Sequence, residues 1–396
     1  MKKILIIMPS LFIGGAERSL LGLLEAFDYS KVDVSLFLYR HEGEFMKYIP
    51  EQVNLLPEMP QYCTFDVPIK SLLLSRKCLF GVARILSKVA MRVHCLISGE
   101  RSGVWMPMQY ISKYLQPLLP QIPGSYDLGI MFLGVADALI NKVDAKVKVT
   151  WCHTDYDSLY PNKKQDIKTY SKVDYIATVS EACADVFKKF YPQFSKKTLT
   201  IENILAKNLA AREAEIIVPD MYSDDWPSIL SIGRFNEIKN FHNIPFFCQY
   251  LHEQGIPAHW TIIGYGADEK RIREAIDSLH MNDYISVLGK KANPYPYIKQ
   301  CDLYVQPSLL EGKSVAVREA QMLGKPVVIT RYATSASQLE DGVDGVIVPM
   351  DNDGCAAGIA ALLKDPERMR RISENCAMRD YTNSAEVEKI YALMEE

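Results

Sequence analysis

Short apolar runs alternate with stretches of helical spacing along most of this chain. Ile4–Met8 is apolar without interruption, the pattern of a parallel strand buried on both faces. Gly14 and Gly15 follow, and Ala16–Phe27 then carries apolar residues at helical intervals. Val32–Tyr39, Asp127–Phe132, Val147–Cys152, Tyr175–Val179 and Leu199–Ile201 read as further strands, with Glu181–Phe190 as a helix. A second series starts at Ser228–Ile232 and runs through Trp260–Ile263, Ile285–Leu288, Asp302–Gln306, Pro326–Thr330 and Gly345–Val348. Between them, Ala206–Trp226 loses the rhythm. It is rich in Ala and charge, carries Pro219, and reads as a linker ending at Pro227. Strands that alternate with helices predict parallel sheets. The expected fold class is therefore α/β, with two doubly wound, Rossmann-like domains facing each other across a cleft. The expected domains are residues 1–205 and 228–375, joined by a linker at 206–227. Residues 376–396 hold a C-terminal helix able to pack back on the first domain.

Composition narrows the class. At 396 residues and 48% hydrophobic, the chain can bury two cores. A formal net charge of −3 carries no polyanion-binding signature, so no nucleic-acid partner is expected. Nine cysteines without a C-x-x-C pair suit a reducing cytoplasm, and no metal site is expected. The start, MKKILIIMPS, imitates a signal peptide. Pro9 interrupts the run and no small-x-small cleavage site follows, so Lys3–Met8 is read as the first core strand. No apolar stretch reaches the length of a membrane span. One local bias changes the picture. Residues 70–113 hold Lys70, Arg76, Lys77, Arg84, Lys88, Arg92, Arg101 and Lys113 against Glu100 alone, interleaved with LLL, LF, VARIL and VAMRV. This reads as one or two basic amphipathic helices, able to lie on an anionic membrane surface at the inner face of the cell membrane. An ordinary domain helix with a solvated basic face is the alternative.

Open α/β sheets bind ligands at the carboxyl ends of their strands, so the chemistry is sought in the loops there. Glu311 and Glu319 lie in PSLLEGKSVAVREAQMLGKP, where a buried strand turns into a helix closed by Gly324 and Pro326. Carboxylates can take hydroxyls while the free amides of the helix start take phosphate, as a nucleotide-sugar requires. An exposed loop Glu and a surface helix Glu are the plain alternative. Arg234 and Lys239 share the loop GRFNEIKN after the first strand of the second series. A planar fork and a compact charge together suit a diphosphate. Gly15 and Gly264 are candidates for close backbone approach to a ligand, and each fits a simple turn equally well. GGAE is not G-x-G-x-x-G, so no nicotinamide cofactor is expected. His153 ends the strand Val147–Cys152, where it can bond a sugar hydroxyl or support developing positive charge. Asp155-Tyr156-Asp157 and Asp351-Asn352-Asp353 fit D-x-D, and both are read as caps or surface acids.

With these loops in place, the chain resembles the retaining glycosyltransferases of family four, of GT-B fold. The matching parts are GGAE, WCHTD, SIGRFNEIKN, IIGYGAD, PSLLEGKSVAVREAQMLGKPVVIT and GVDGVIVP, in the family's order. The resemblance implies that Glu319 bonds the donor ribose and Glu311 the donor sugar. It implies that Arg234 and Lys239 neutralise the departing diphosphate. Gly15 and the amides near Ser314 and Val315 would approach phosphates and sugar, and His153 would bond the donor sugar. It also implies a metal-independent reaction with the nucleotide-sugar, expected to be UDP-linked, as substrate rather than cofactor. Lys313, Ser314 and Tyr265 depart from residues frequent in the family, which leaves sugar and base open. The expected acceptor is a saccharide, lipid-linked, in bacterial surface polysaccharide assembly. The alternatives are a sugar-nucleotide 2-epimerase of the same architecture and a degenerate scaffold or activator.

Overall fold

Every strand among the described residues runs parallel to its neighbours. In the first sheet the strands are β1 (Lys2–Met8), β2 (Val32–Leu38), β3 (Asn54–Leu55), β4 (Ser125–Met131), β5 (Asp144–Cys152), β6 (Tyr175–Thr178) and β7 (Thr198–Thr200). Their order is β3-β2-β1-β4-β5-β6-β7, and Ile4 lies in register with Val34 on one side and Leu128 on the other. The second sheet holds β8 (Ser228–Arg234), β9 (His259–Tyr265), β10 (Ile285–Gly289), β11 (Leu303–Gln306), β12 (Val327–Thr330) and β13 (Val346–Val348), in the order β10-β9-β8-β11-β12-β13. The computed structural model describes residues 1–153, 156–219, 221, 226–311 and 313–395. It divides into two units, Met1–Ile204 with Ser384–Glu396, and Leu205–Asn383.

The apolar runs of the sequence become these strands because a parallel sheet is covered on both faces. Ile4 to Met8 and Leu303 to Val305 are fully buried. Each sheet reverses its strand order once, between β1 and β4 and between β8 and β11. Loops leaving the carboxyl ends of such a pair diverge, and the gap between them is where open α/β sheets take ligands.

The stretch expected to be a linker contains a helix, Lys207–Ala214, which belongs to the second unit. Leu209, Ala210 and Ala214 are buried, and Asn293 Nδ2 donates to the Glu213 carbonyl at 3.1 Å. Residues 220 and 222–225 of that stretch lie outside the described residues. The chain returns to the first unit at Ser384 rather than near 376. Cys376 and Tyr381 remain in the second core, and Tyr381 Oη and Arg379 Nη1 both donate to Asp344 Oδ2 at 2.9 Å. The final helix, Val387–Ala392, then lies on the first unit. There the Asp28 amide donates to Tyr391 Oη at 2.8 Å, and Lys2 Nζ donates to the Met394 carbonyl at 3.0 Å.

Residues 70–113 form three helices, Ile69–Leu73, Cys78–Ser98 and Trp105–Leu115, the last continuing past 113. Gly81 lets the first two touch, since a Cβ there would lie 2.8 Å from Leu73 Cδ2. Arg84 departs from the expected basic face. It points inward and donates to the carbonyls of Thr64 at 3.0 Å and Val67 at 2.6 Å.

The Trp105–Leu115 helix is tied to the first unit through a buried carboxylate. Asp166 accepts from Gln109 Nε2, Trp105 Nε1, Tyr191 Oη and Tyr156 Oη. Burial pushes its pKa up to about 6, against the pull of these donors. Asp166→Ala leaves buried donors without an acceptor. We expect a loss of roughly 2–4 kcal/mol in urea unfolding, and a smaller loss for Asp166→Asn, which keeps one acceptor oxygen.

Candidate functional site

The order reversal of the second sheet gathers six of the residues singled out from sequence. β8 ends at Arg234, and the turn Glu237–Lys239 follows, capped by Asn236, whose Oδ1 accepts from the Lys239 amide at 3.0 Å. β11 ends at Gln306 and leads through Pro307 and Ser308 to Glu311. The two loops are joined by their backbones, the Leu309 amide donating to the Ile238 carbonyl at 2.7 Å. Their side chains join as well, for Lys239 Nζ forms an ion pair with Glu311 Oε1. Both are largely shielded, at 19% and 11% side-chain exposure, so the pair is held in a medium where charge attraction is stronger than in water. Ser308 Oγ donates to the same carboxylate oxygen at 2.7 Å, and Thr334 Oγ1 donates to the Glu311 carbonyl at 2.6 Å. Arg234 stays outside this pairing. Its side chain is exposed at the strand end and has no hydrogen bond or ion pair among the described residues.

The helix Val315–Met322 begins beside this pair. Its N-cap, Ser314, makes no side-chain cap bond, and the Ser314 amide donates to Gln338 Oε1 at 2.6 Å. Ser314's own N–H is therefore engaged, and the helix start at Val315 carries the remaining amides and the positive end of the helix dipole. Gly312 lies outside the described residues. Glu319 is one turn further along and 1% exposed. Tyr295 Oη donates to its Oε1 at 3.0 Å, which fixes the carboxyl group at the base of the site. Gly264 has a structural duty. Its φ is +155°, and a Cβ there would fall 1.8 Å from the Gly233 carbonyl oxygen. Its lack of a side chain lets the end of β9 lie against the end of β8.

Gly15 and His153 stand in the first unit, at the carboxyl ends of β1 and β5. Gly15 opens the helix Gly15–Ala26, and a Cβ on it would meet nothing within 4 Å among the described residues. A Cβ on Gly14 would strike the Glu17 carboxylate at 2.0 Å. That carboxylate folds back over the helix start, where an anion is stabilised. His153 Nε2 donates to the Phe132 carbonyl at 2.8 Å, just past the end of β4. The ring packs against Phe132 at a centroid distance of 4.6 Å and stacks more distantly on Trp151 at 6.2 Å. Burial lowers its pKa to about 4, with the carbonyl bond opposing. The ring is thus neutral near pH 7, with Nδ1 left as an acceptor.

Several supporting residues escaped the sequence analysis. Tyr295, Ser308, Thr334 and Gln338 fix the two glutamates and the helix start. The PYPYIK run that carries Tyr295 was visible, but no local pattern ties it to Glu319. Of the D-x-D matches, Asp351 caps the helix Asn352–Leu363 through the Gly354 amide at 2.8 Å. Asp155, like Thr154, lies outside the described residues.

Residues 221–378 match the family described as Glycosyl transferases group 1. The second unit carries this group 1 domain. The amylovoran biosynthesis glycosyltransferase AmsK of Erwinia amylovora is 32% identical over 34% of this chain and 34% of its own length. The putative colanic acid biosynthesis glycosyltransferase WcaL of Escherichia coli is 31% identical over 32% and 33%. The chain thus aligns with about a third of the length of these relatives. Two solved structures extend the likeness to both units. Anabaena HepE in complex with UDP and glucose has a TM-score of 0.65 at 16% identity, covering 99% of this chain and 100% of that one. Sucrose-phosphate synthase from Thermosynechococcus elongatus has a TM-score of 0.62 at 15% identity, covering 100% and 99%. These likenesses show the fold, the two-sheet GT-B architecture.

The His153 shift has a testable sign. Its folded pKa, about 4, lies below the ordinary 6.5, so the unfolded chain takes up the proton first as pH falls. The stability tied to neutral His153 is present above pH 6.5 and is lost between 6.5 and about 4. Asp166 opposes it in the same window, because its raised pKa favours the folded state as it protonates. We expect the melting temperature of wild type minus that of His153→Phe to fall steadily from pH 7 to pH 4. A flat difference across that range would show that the ring is not held neutral.

Proposed function

We propose that this chain is a retaining glycosyltransferase of family four that uses a nucleotide-diphosphate sugar, a UDP-sugar, as donor. The acceptor is a saccharide carried on a lipid, and the setting is assembly of cell-surface polysaccharide. The observation that carries the reading is Arg234, an exposed cation without a partner among the described residues, beside the Lys239–Glu311 pair and a helix start. An unpaired guanidinium next to free amides is arranged for a polyanion. The group 1 match over 221–378 supports it, as do relatives whose names specify amylovoran and colanic acid biosynthesis. The lipid-linked acceptor is supported by a Campylobacter jejuni relative named for a diphospho-undecaprenol substrate, 25% identical over 58% of this chain.

In this reading the diphosphate binds between Arg234 and the helix start at Val315. It competes with Glu311 for Lys239, and a Glu311 oxygen is released to the sugar hydroxyls. Glu319, held by Tyr295, takes the ribose. As the bond from the anomeric carbon to the phosphate oxygen breaks, negative charge grows on the leaving group and the sugar becomes oxocarbenium-like. Fixed cations and amides stabilise that charge where it develops, usually a large catalytic effect. They supply the countercharge, so the reaction is proposed to need no metal. The acceptor hydroxyl attacks on the face the phosphate leaves, and its proton passes to the departing phosphate oxygen. His153 offers Nδ1 to a donor hydroxyl. Glu311 is therefore a positioning group for the sugar and not a nucleophile.

Two variants separate this role from a structural one. Arg234→Ala removes no hydrogen bond or ion pair among the described residues, so its melting temperature should match wild type while turnover of the UDP-sugar falls roughly 10²–10³-fold. Lys239→Ala strands a shielded carboxylate, and should also lose about 1–3 kcal/mol of stability. Wild-type turnover in Arg234→Ala or in Glu319→Ala would overturn the assignment. Thermal shift with UDP-, GDP- and ADP-sugars identifies the donor, since bound ligand stabilises by mass action.

A further inference from the structure

The helix Cys78–Ser98 is apolar on two faces, and only one of them is covered. Its inner face packs through Gly81, Ala83 and Ser87. Its outer face presents Leu79, Val82, Leu86, Val89, Val93 and Leu96, all exposed, from 46% at Val82 to 84% at Leu96. The spacing of three and four residues keeps them on one stripe. Ile85 and Ile97 widen it, and Leu74 and Val104 extend it at 81% and 75% exposure. A solvated helix face carries charge, and scattered apolar residues need no explanation, whereas a continuous stripe of this length does.

Charge decides what covers it. Lys88 and Arg92 edge the stripe, both exposed, with Lys70 and Arg76 near its start and Arg101 beyond its end. The helix contains no Asp or Glu. A second copy would fit the spacing, which is that of a coiled-coil seam, but it would set these cations against their own kind with no acid on the helix to pair them. An anionic lipid surface takes both parts, acyl chains for the stripe and phosphates for its edge. No helix among the described residues is long and apolar enough to cross a membrane, and this helix, 21 residues long, carries charge within its length.

We infer that the helix Cys78–Ser98 lies flat in the surface of an anionic phospholipid bilayer, with its Leu79–Leu96 stripe among the acyl chains and Lys88 and Arg92 at the phosphates. Arg84, turned inward, takes no part. The attachment is insertion of apolar side chains, with charge setting the preference among lipids. It does not depend on the sugar-transfer reading, because it is measured without donor or acceptor.

The test is sedimentation of the full chain with vesicles of phosphatidylcholine alone or with 30% phosphatidylglycerol added. Wild type should bind the anionic vesicles about tenfold or more tighter. Leu86→Gln/Val89→Gln/Val93→Gln should keep the wild-type melting temperature, since these side chains are exposed, and lose binding to both vesicles. Lys88→Glu/Arg92→Glu should lose only the preference for anionic lipid. Failure of wild type to bind overturns the inference, as does binding by the triple variant equal to wild type. So does a wild-type dimer that the triple variant converts to a monomer in light scattering while vesicles are ignored, which would assign the stripe to a second copy.

Discussion

Lys239 and Glu311 are 72 residues apart in the chain and meet in an ion pair across the point where the second sheet reverses its strand order. That contact determines how the loops around it are arranged. It draws together the loop after β8 and the loop after β11, which the Leu309–Ile238 backbone bond then locks. It places the start of the helix Val315–Met322 beside a basic loop, and it leaves Arg234 without an ion pair among the described residues. A shielded pair of this kind adds little net stability, because desolvation opposes attraction, but removing one partner is costly. Its effect is to fix the geometry of the two loops that it joins.

The parallel arrangement of the strands explains why the fold was legible from the order of residues. A strand buried on both faces must be apolar throughout, and such runs stand out between helices. β3 was the exception, since Asn54–Leu55 is too short to leave a pattern. The helix Lys207–Ala214 was hidden for a different reason, because Ala and Leu supply its buried face among charged neighbours. Within the site, the positions of Arg234, Lys239, Glu311 and Glu319 followed from the rule that loops at carboxyl strand ends carry chemistry. Their partners did not follow. Tyr295 on Glu319, Gln338 on the Ser314 amide and Glu311 on Lys239 are contacts between segments distant in sequence, and no periodicity encodes them. Direction was equally hidden. In the sequence Arg84 reads as one more surface charge, whereas its guanidinium donates to the carbonyls of Thr64 and Val67.

The two units meet different demands. The second concentrates charge at the carboxyl ends of its central strands, and the first carries a neutral, partly buried imidazole and a helix with one uncovered apolar face. Asp166 joins the helices at 105–115 to the aromatic cluster of Tyr156, Tyr170 and Tyr191, so a single buried carboxylate fixes one side of that helical layer.

The return of the chain at Ser384 has a consequence for synthesis. The first unit is discontinuous, and its last helix covers Asp28, Lys2 and Thr200 only after Leu205–Asn383 has left the ribosome. At ordinary elongation rates of roughly 5–20 residues per second, the early sheet waits on the order of ten seconds or more for its closing piece. Throughout that interval Phe27 lacks the Tyr391 ring that packs 6.2 Å from it in the folded chain. The nascent chain therefore passes through a stage in which the first sheet is complete and its cover is not, and chaperones that recognise exposed apolar surface have their longest access to it then.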